Sequence, residues 1–216
     1  MEWATQRFQQ LDPKKARRII DAAVSEFATK GYEAANTNRI AKAAEISVGS
    51  LFQYFKSKEN LFRYVIHLGA GLIETDIGAI LKAEVSGREK IRKLMLLTVN
   101  ACEEYPEYQR LYHEITAIGN QELTLDIARD LESYTASGLL KLIKQGQERG
   151  DIRTDLPAEV LAFTVDNTMV MMQYSLSTPY FKGRSQLYQM APAKEFAEQM
   201  TEMLWSTLEK RQYCTA

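Results

Sequence analysis

A short polar stretch in the first quarter of the chain has the residue types needed to contact DNA. Ser47 and Ser50 carry short hydroxyls that can reach phosphate, and Val48 and Gly49 between them are small enough for backbone and groove to approach closely. Gln53 can donate and accept hydrogen bonds at a base edge, and adenine is its usual geometric match. We interpret this stretch as the reading surface of a short helix.

Other polar and aromatic side chains extend this candidate surface in both directions. Tyr54 can bond phosphate through its hydroxyl, and Lys56 and Lys58 supply positive charge for phosphates. Thr37 stands at the start of a preceding helix, whose N-terminal end is a second anchor for phosphate. Phe52 fits either packing or the groove edge, and both interpretations stay open.

The reading helix must present some of its residues to the solvent and others to a core. We predict that Gln53 and Tyr54 lie on its outward face, whereas Leu51 and Phe55 belong to the core. For Gln53 and Tyr54 the alternative is ordinary solvated surface without a partner.

Capping residues divide the first part of the chain into four helices. Asp12-Pro13 starts the first helix, with Asp as N-cap and Pro at the first helical position, and Gly31 ends it. Asn36, Ser47 and Ser57 are predicted to cap the second, third and fourth helices. The reading helix is the third of these.

Only Glu45-Ile46 separates the second helix from the third. So short a connection crosses two helices steeply, which is the helix-turn-helix arrangement in which the second helix reads the major groove. The spacing of the caps therefore predicts a DNA-binding motif.

Residues 14–63 resemble the N-terminal DNA-binding domain of the tetracycline-repressor (TetR/AcrR) family. The resemblance rests on an aromatic near the end of the first helix, a Gly-aromatic pair, an Ile-Ala pair and the reading-helix pattern that follows. The matching residues are Phe27, Gly31-Tyr32, Ile40-Ala41, Ser47, Gly49 to Phe52, Tyr54-Phe55 and Ser57 to Glu59. The chain departs from the family pattern at Glu45, where Gly is usual, and at Phe52, where Tyr is usual.

The resemblance assigns phosphate contacts and base contacts to particular positions. It implies phosphate contacts from Thr37, Ser50, Tyr54 and Lys58, and base or groove contacts from Asn38, Val48, Gly49 and Gln53. The full predicted DNA-binding set is Asn36, Thr37, Asn38, Ser47, Val48, Gly49, Ser50, Phe52, Gln53, Tyr54, Lys56 and Lys58.

The rest of the chain also reads as helix, which makes the predicted fold class all-α. Proline is sparse, and neither hairpin signals nor long alternating patterns occur. We predict nine to ten helices, with a loop around residues 179–192 before a last helix at about 193–212. The predicted domains are a helix-turn-helix domain at 1–56 and a helical effector-binding and dimerisation domain at 57–216.

Charge is unevenly distributed along the 216 residues. The net charge is −1 overall, but residues 1–63 carry a net +4 and residues 64–216 a net −5. A positive N-terminal part suits contact with phosphate. No apolar run reaches the length of a membrane span, and no secretion signal is visible, so we expect a cytoplasmic protein without a membrane.

Catalytic chemistry is not indicated by any residue pattern. No nucleophile–base set, phosphate loop or metal-ligand spacing is visible, and the two histidines, His67 and His113, are isolated. Cys102 and Cys214 lie far apart and imply neither a metal site nor a disulfide framework. We therefore expect no enzyme activity, no cofactor and no metal.

The C-terminal part is rich in methionine and aromatic residues, which suit a pocket for an apolar or aromatic ligand. Core packing and dimer contacts remain the alternative for each of them. The candidate effector-binding residues are Tyr105, Tyr108, Tyr112, His113, Phe163, Asp166, Asn167, Met169 and Met172.

By the family resemblance, the two C-terminal helices would form a homodimer interface as a four-helix bundle. The candidate interface residues are Val160, Met171, Tyr174, Phe196, Met200, Met203, Leu204, Trp205 and Leu208. A dimer places two reading helices about 34 Å apart, the spacing of one DNA turn, and so can read a palindrome.

The predicted function is a ligand-responsive, DNA-binding transcriptional regulator of the TetR type. We expect a repressor that binds a palindromic operator as a homodimer and is released by an apolar small-molecule effector. The alternative is a helical adaptor protein in which the helix-turn-helix is only scaffold.

Overall fold

The computed structural model describes residues 3–210, so the prediction for Cys214 lies outside the described residues. Within them the chain forms eleven α-helices, one short 3₁₀ helix and no strand, and the all-α class is confirmed. The helices are α1 Gln6–Gln9, α2 Pro13–Ala34, α3 Thr37–Ala43, α4 Val48–Phe55, α5 Lys58–Lys82, α6 Gly87–Glu104, α7 Pro106–Glu114, α8 Gln121–Arg149, α9 Ala158–Ser177, α10 Pro179–Gln186 and α11 Ala193–Leu208.

The predicted count of nine to ten helices is approximately right, and two short helices account for the difference. Helix α1 was not anticipated, and helix α10 occupies a segment that was predicted as a loop. That prediction was wrong because it treated Pro179 only as the end of the preceding helix, whereas Pro179 at the first helical position favours a new helix.

The chain divides into two compact units by its internal contacts. Unit 1 comprises the residues up to Leu72 together with Tyr105–Leu131, and unit 2 comprises Ile73–Glu104 together with the residues from Glu132 onward. The predicted functional division at residue 56 stays a prediction, and the contact division falls instead within α5 and α8.

The core of unit 1 is built on aromatic rings from α2, α4 and α5. Phe27, Phe55 and Phe62 are wholly buried, and the rings of Phe27 and Phe62 meet edge to face with their centroids 5.0 Å apart. Leu111 and Ile127 contribute from α7 and α8. This core fixes the positions of the short helices α3 and α4, which have too few residues to be stable alone.

The core of unit 2 is centred on α6. Ile91, Leu94, Met95 and Val99 are completely buried there. Helix α6 packs against α9 and α11, each of which contributes an apolar face to the same cluster.

Helix α5 is long and apolar enough to cross a membrane by length and composition alone. A buried core helix passes the same test, but only 22% of the apolar window of α5 is buried. Leu61, Phe62, Val65 and Ile66 of α5 lie in the core of unit 1.

Candidate nucleic-acid interface

Helices α3 and α4 form the predicted helix-turn-helix, and each begins at the predicted cap. The Asn36 side chain accepts a hydrogen bond from the backbone N–H of Asn38 at 2.8 Å, and Ser47 Oγ accepts from the N–H of Ser50 at 3.0 Å. Because these side chains satisfy N–H groups that a helix start leaves without partners, they fix where each helix begins.

The turn between the two helices contains Glu45 in a left-handed conformation, with φ of 53°. Such a conformation is costly for a residue other than glycine. Arg18 of α2 supports the turn from below, since its Nε donates to the carbonyl of Ala44 at 2.8 Å and its guanidinium lies 3.1 Å from the Glu45 carboxylate. The sequence therefore replaces the usual glycine with a charged residue that is paired to α2.

Most of the predicted DNA-binding side chains are accessible on one end of unit 1. The exposed members are Asn36, Asn38, Ser47, Gly49, Phe52, Gln53 and Lys56, and the half-buried members are Thr37, Val48, Ser50 and Lys58. Phe52 has 40% of its surface exposed, which favours the groove edge over packing for this residue.

Tyr54 does not lie on the outward face, so this prediction was wrong. Only 4% of its surface is exposed, its ring lies 6.0 Å from the ring of Phe8, and the ammonium of Lys15 lies 6.0 Å from its centroid. The reason is the short helix α1, which covers this side of α4. Tyr54 is therefore not part of the proposed contact surface.

Lys58 occupies a structural position that the sequence did not suggest. Its ammonium donates to the backbone carbonyls of Tyr32 at 2.9 Å and Glu33 at 3.2 Å, and it lies 4.7 Å from the centre of the Tyr32 ring. These carbonyls belong to the end of α2, just beyond the left-handed Gly31. Because its ammonium is bonded to these carbonyls, Lys58 is not included in the proposed DNA-contact surface.

The connection from α2 to α3 is held by a half-buried carboxylate and an arginine. Glu26 accepts from Arg39 Nη2 at 2.6 Å and from the backbone N–H of Asn36 at 2.9 Å. The hydrogen bond from Arg39 is the largest cause of the lowered pKa of Glu26, which keeps this carboxylate ionised. Arg39 is thus bound to Glu26 at the start of α3.

The sequence interpretation missed the chain segment before α2. Thr5 donates its backbone N–H to the carbonyl of Tyr54 at 2.8 Å, and its hydroxyl to the carbonyl of Gln53 at 3.0 Å. Trp3 and Phe8, two aromatic residues outside the motif, were the available signal that this segment folds back on the domain.

Comparison with known proteins agrees with the geometry of α3 and α4. A family model described as "Bacterial regulatory proteins, tetR family" matches residues 19–65, which contain both helices. The chain is also 27% identical over 173 residues to the HTH-type transcriptional repressor SCO4008 of Streptomyces coelicolor, over 79% of this chain and 83% of the relative. Residues 19–65 therefore match the TetR family of bacterial regulatory proteins, and the longer alignment is to a transcriptional repressor.

Solved structures of TetR-family regulators have the same fold. A regulator from Chloroflexus aurantiacus J-10-FL superposes with a TM-score of 0.72 at 22% identity, covering 96% of this chain and 99% of that one. The regulator FadR from Bacillus subtilis, in complex with stearoyl-CoA, superposes with a TM-score of 0.73 at 20% identity, covering 88% and 98%. At these identities the likeness concerns the fold.

The candidate effector residues fall into two groups in different units. Tyr105, Tyr108, Tyr112 and His113 lie in or next to α7 in unit 1. The three tyrosines are half-buried and His113 is buried, which lowers the pKa of His113 to about 4. Tyr108 packs directly against the backbone of Gly69, where a Cβ atom would collide with its ring.

The second group of candidate effector residues lies on α9 in unit 2, and two of its members are exposed; the assignment of this group to an effector stays a prediction. Phe163 has 67% of its surface exposed and Asn167 is exposed, so neither lines an interior pocket of this unit. Met172 is buried, Met169 and Asp166 are half-buried, and desolvation raises the pKa of Asp166. The periodicity placed all five on one helix but could not tell which face was covered.

The candidate interface residues also divide between surface and core. Val160, Met171 and Met203 are 50%, 43% and 50% exposed. Leu204 and Leu208 are 2% and 1% exposed and belong to the core of unit 2, so their assignment to an interface was wrong. They are buried because this side of α11 packs on α6.

The remaining candidate interface residues have intermediate exposure. Tyr174, Phe196, Met200 and Trp205 are half-buried. The ring of Trp205 lies against Gly87 at the start of α6, 3.4 Å from where a Cβ would be, so Trp205 packs within its own unit rather than standing free as an anchor. Among residues 3–210, no group of His, Cys, Asp and Glu could hold a metal ion.

Proposed function

We propose that this TetR-family regulator is a homodimeric repressor that binds a palindromic operator and is released by an apolar small-molecule effector. The observation that carries the DNA-reading part is helix α4, which is capped at Ser47 and presents Gly49, Phe52 and Gln53 to the solvent. We further propose that the protein acts in the bacterial cytoplasm, where its operator would lie.

The proposed base and phosphate contacts come from the exposed and half-buried residues at this end of unit 1. Gln53 would contact a base edge, and Val48 and Gly49 would let the start of α4 approach the groove. Ser47, Ser50, Thr37 and Lys56 would contact phosphate, together with the α3 N-terminus. Asn36, Asn38 and Phe52 complete the proposed surface.

The proposal of a homodimer is supported by an unpartnered apolar face on α9. Val160, Phe163 and Met171 are exposed and recur at helical spacing, so they share one face of the helix. Met203 adds a further exposed apolar side chain on α11. A second copy of this chain would cover these side chains and would supply the second reading helix that a palindrome requires.

The proposal of an apolar effector is supported by the methionines and aromatics of both units and by a structural relative. The FadR structure with a similar fold contains stearoyl-CoA, a ligand with a long apolar tail. An effector that favours a dimer in which the reading helices no longer match the groove spacing would release the operator. Coupling of roughly 1–3 kcal/mol corresponds to about 5- to 150-fold weaker DNA binding.

Selection from a random double-stranded DNA library tests the DNA-reading part. We expect wild type to enrich a sequence with two inverted half-sites whose centres lie about 10 base pairs, or a multiple of one turn, apart. A library that shows no enrichment after repeated rounds would favour the adaptor function over DNA reading.

Titration of stearoyl-CoA into the complex of protein and selected operator tests the effector part. Fluorescence anisotropy should show release of the labelled DNA, with coenzyme A alone as the control that lacks the apolar tail. Unchanged operator affinity at saturating stearoyl-CoA would remove long-chain acyl thioesters from the candidate effectors.

A further inference from the structure

The C-terminal end of the reading helix depends on a residue from outside the motif. The last four carbonyls of an α-helix have no partners within the helix. In α4 the carbonyl of Phe52 accepts from Lys56 N–H at 2.8 Å, and that of Phe55 accepts from Ser57 N–H at 2.7 Å. The two carbonyls between them both accept from Thr5, through its hydroxyl at 3.0 Å and its N–H at 2.8 Å.

Thr5 is itself fixed by anchors on both sides along the chain. Trp3 stacks on His67 with ring centroids 4.1 Å apart. Phe8 is 4% exposed and packs 4.5 Å from the ring of Phe55 and 5.4 Å from that of Tyr64. The position of Thr5 is therefore set by rings on α4 and α5, and small movements of residues 3–8 would be transmitted to α4.

The hydroxyl of Thr5 serves α4 rather than its own helix. Thr5 stands at the N-cap of α1, a position where threonine side chains commonly bond a backbone N–H of the helix that they start. No such bond forms here, and the hydroxyl donates to the carbonyl of Gln53. The residue whose carbonyl is held is the same residue that we propose to read a base.

We propose that Thr5 is a positioning residue that sets the orientation of the reading helix and so the sequence selectivity of Gln53. This proposal rests on the DNA-reading function proposed above. Residues 3–8 form a strap across the C-terminal end of α4, and Ser47 holds its N-terminal end. A helix of two turns held at both ends enters the groove in one orientation, whereas one that is free at its C-terminal end samples several.

Replacement of Thr5 by valine tests the proposal, because valine keeps the shape and the backbone N–H but removes the hydroxyl. Thr5→Ser keeps the hydroxyl and should behave as wild type. Thr29→Val is the matched control, since Thr29 is exposed on α2 of the same unit. Deletion of residues 1–5 removes both hydrogen bonds to α4 and should have the larger effect.

The measurement is affinity for the selected operator and for unrelated DNA, with thermal unfolding recorded for each variant. We expect Thr5→Val to weaken operator binding roughly three- to tenfold, the equivalent of one net hydrogen bond, with unrelated DNA bound as by wild type. Thr5→Ser should restore the selectivity.

Two results would overturn the proposal. One is a Thr5→Val protein with wild-type selectivity; the other is an equal loss on both DNAs, which would mean a general effect on stability or charge. If wild type itself fails to discriminate the two DNAs, the DNA-reading function fails, which is a different outcome from failure of the strap.

Discussion

Replacement of Lys58 by methionine tests whether this lysine stabilises the fold or contacts DNA. We expect the replacement to destabilise the protein. The resemblance to the family implied a phosphate contact, whereas the structure directs the ammonium to the end of α2. Its two shorter hydrogen bonds, at 2.9 and 3.2 Å, satisfy carbonyls that lie beyond the last regular turn of that helix. Methionine retains the length of the side chain and loses these bonds.

The size of the effect follows from the contacts. A hydrogen bond from a charged group contributes roughly 1.5–3 kcal/mol, and the interaction with the Tyr32 ring adds about 0.5–1 kcal/mol at a partly exposed site. Because the lysine is half-buried and the terms share one ammonium, we expect a total loss of about 2–3 kcal/mol rather than their sum.

Lys56→Met is the matched control for this prediction. It removes the same charge two residues earlier, at an exposed position whose side chain forms no bond that the structure describes. Its free energy of unfolding should stay within about 0.5 kcal/mol of wild type. Urea unfolding at fixed protein concentration gives the free energy of unfolding of both variants. The dependence of operator affinity on salt concentration shows which of the two lysines contacts phosphate.

The opposite pattern would refute the capping role of Lys58. In that case Lys58→Met would be as stable as Lys56→Met but would bind the operator more weakly, with a salt slope reduced by about one unit. Lys58 would then release the end of α2 when DNA binds.

Three further predictions concern the turn, the apolar face and a buried histidine. Glu45→Gly should be more stable than Glu45→Ala by about 1 kcal/mol in urea unfolding. Both variants lose the ion pair with Arg18, but only glycine adopts φ of 53° without strain. Equal stabilities of the two variants would contradict backbone strain at this position. Phe163→Asp should shift the proposed dimer to monomer in analytical ultracentrifugation, whereas Leu187→Asp, 82% exposed outside the α9 face, should not. A dimeric Phe163→Asp protein would exclude this face as the interface. Burial lowers the pKa of His113 from 6.5 to about 4, so between these pH values the unfolded chain binds a proton that the folded protein does not, and the free energy of unfolding should fall as the pH drops through that range. The free energy of unfolding of His113→Phe should depend less on pH there. Identical pH profiles of wild type and variant would argue against a buried neutral imidazole.

Local signals predicted the helix starts, while contacts between distant residues could not be predicted. Asp12, Asn36, Ser47 and Ser57 each bond an N–H within three residues, so the sequence around them contains the information. The ends of α2, α3 and α4 instead also bond side chains that are far away in the chain.

Three of those helix ends show why the detail of the site escaped prediction. Lys58, Arg18 and Thr5 bond carbonyls near the ends of α2, α3 and α4, between 23 and 48 residues away. No spacing rule connects such positions before the core is known. The burial of Tyr54 has the same origin, since it depends on where α1 lies.

Apolar periodicity on α9 and α11 identified helices but not the partner of each face. Phe163 on α9 and Leu204 on α11 each belong to a row of apolar residues along their own helix. Leu204 nevertheless packs on α6, whereas Phe163 faces solvent. Hydrophobicity alone predicts only that both side chains are covered by other apolar groups. The choice between core, interface and pocket depends on how the helices cross, which a single sequence does not specify.

The central claim is that Gln53 on α4 reads a base, and the most direct measurement compares wild type with Gln53→Ala on the selected operator and on operators with single base changes. Gln186→Ala, an exposed glutamine on α10, is the control. We predict that Gln53→Ala loses discrimination at one position in each half-site, by about 1–3 kcal/mol, with an unchanged salt slope. Full retention of discrimination at every position would contradict the claim that Gln53 reads the sequence.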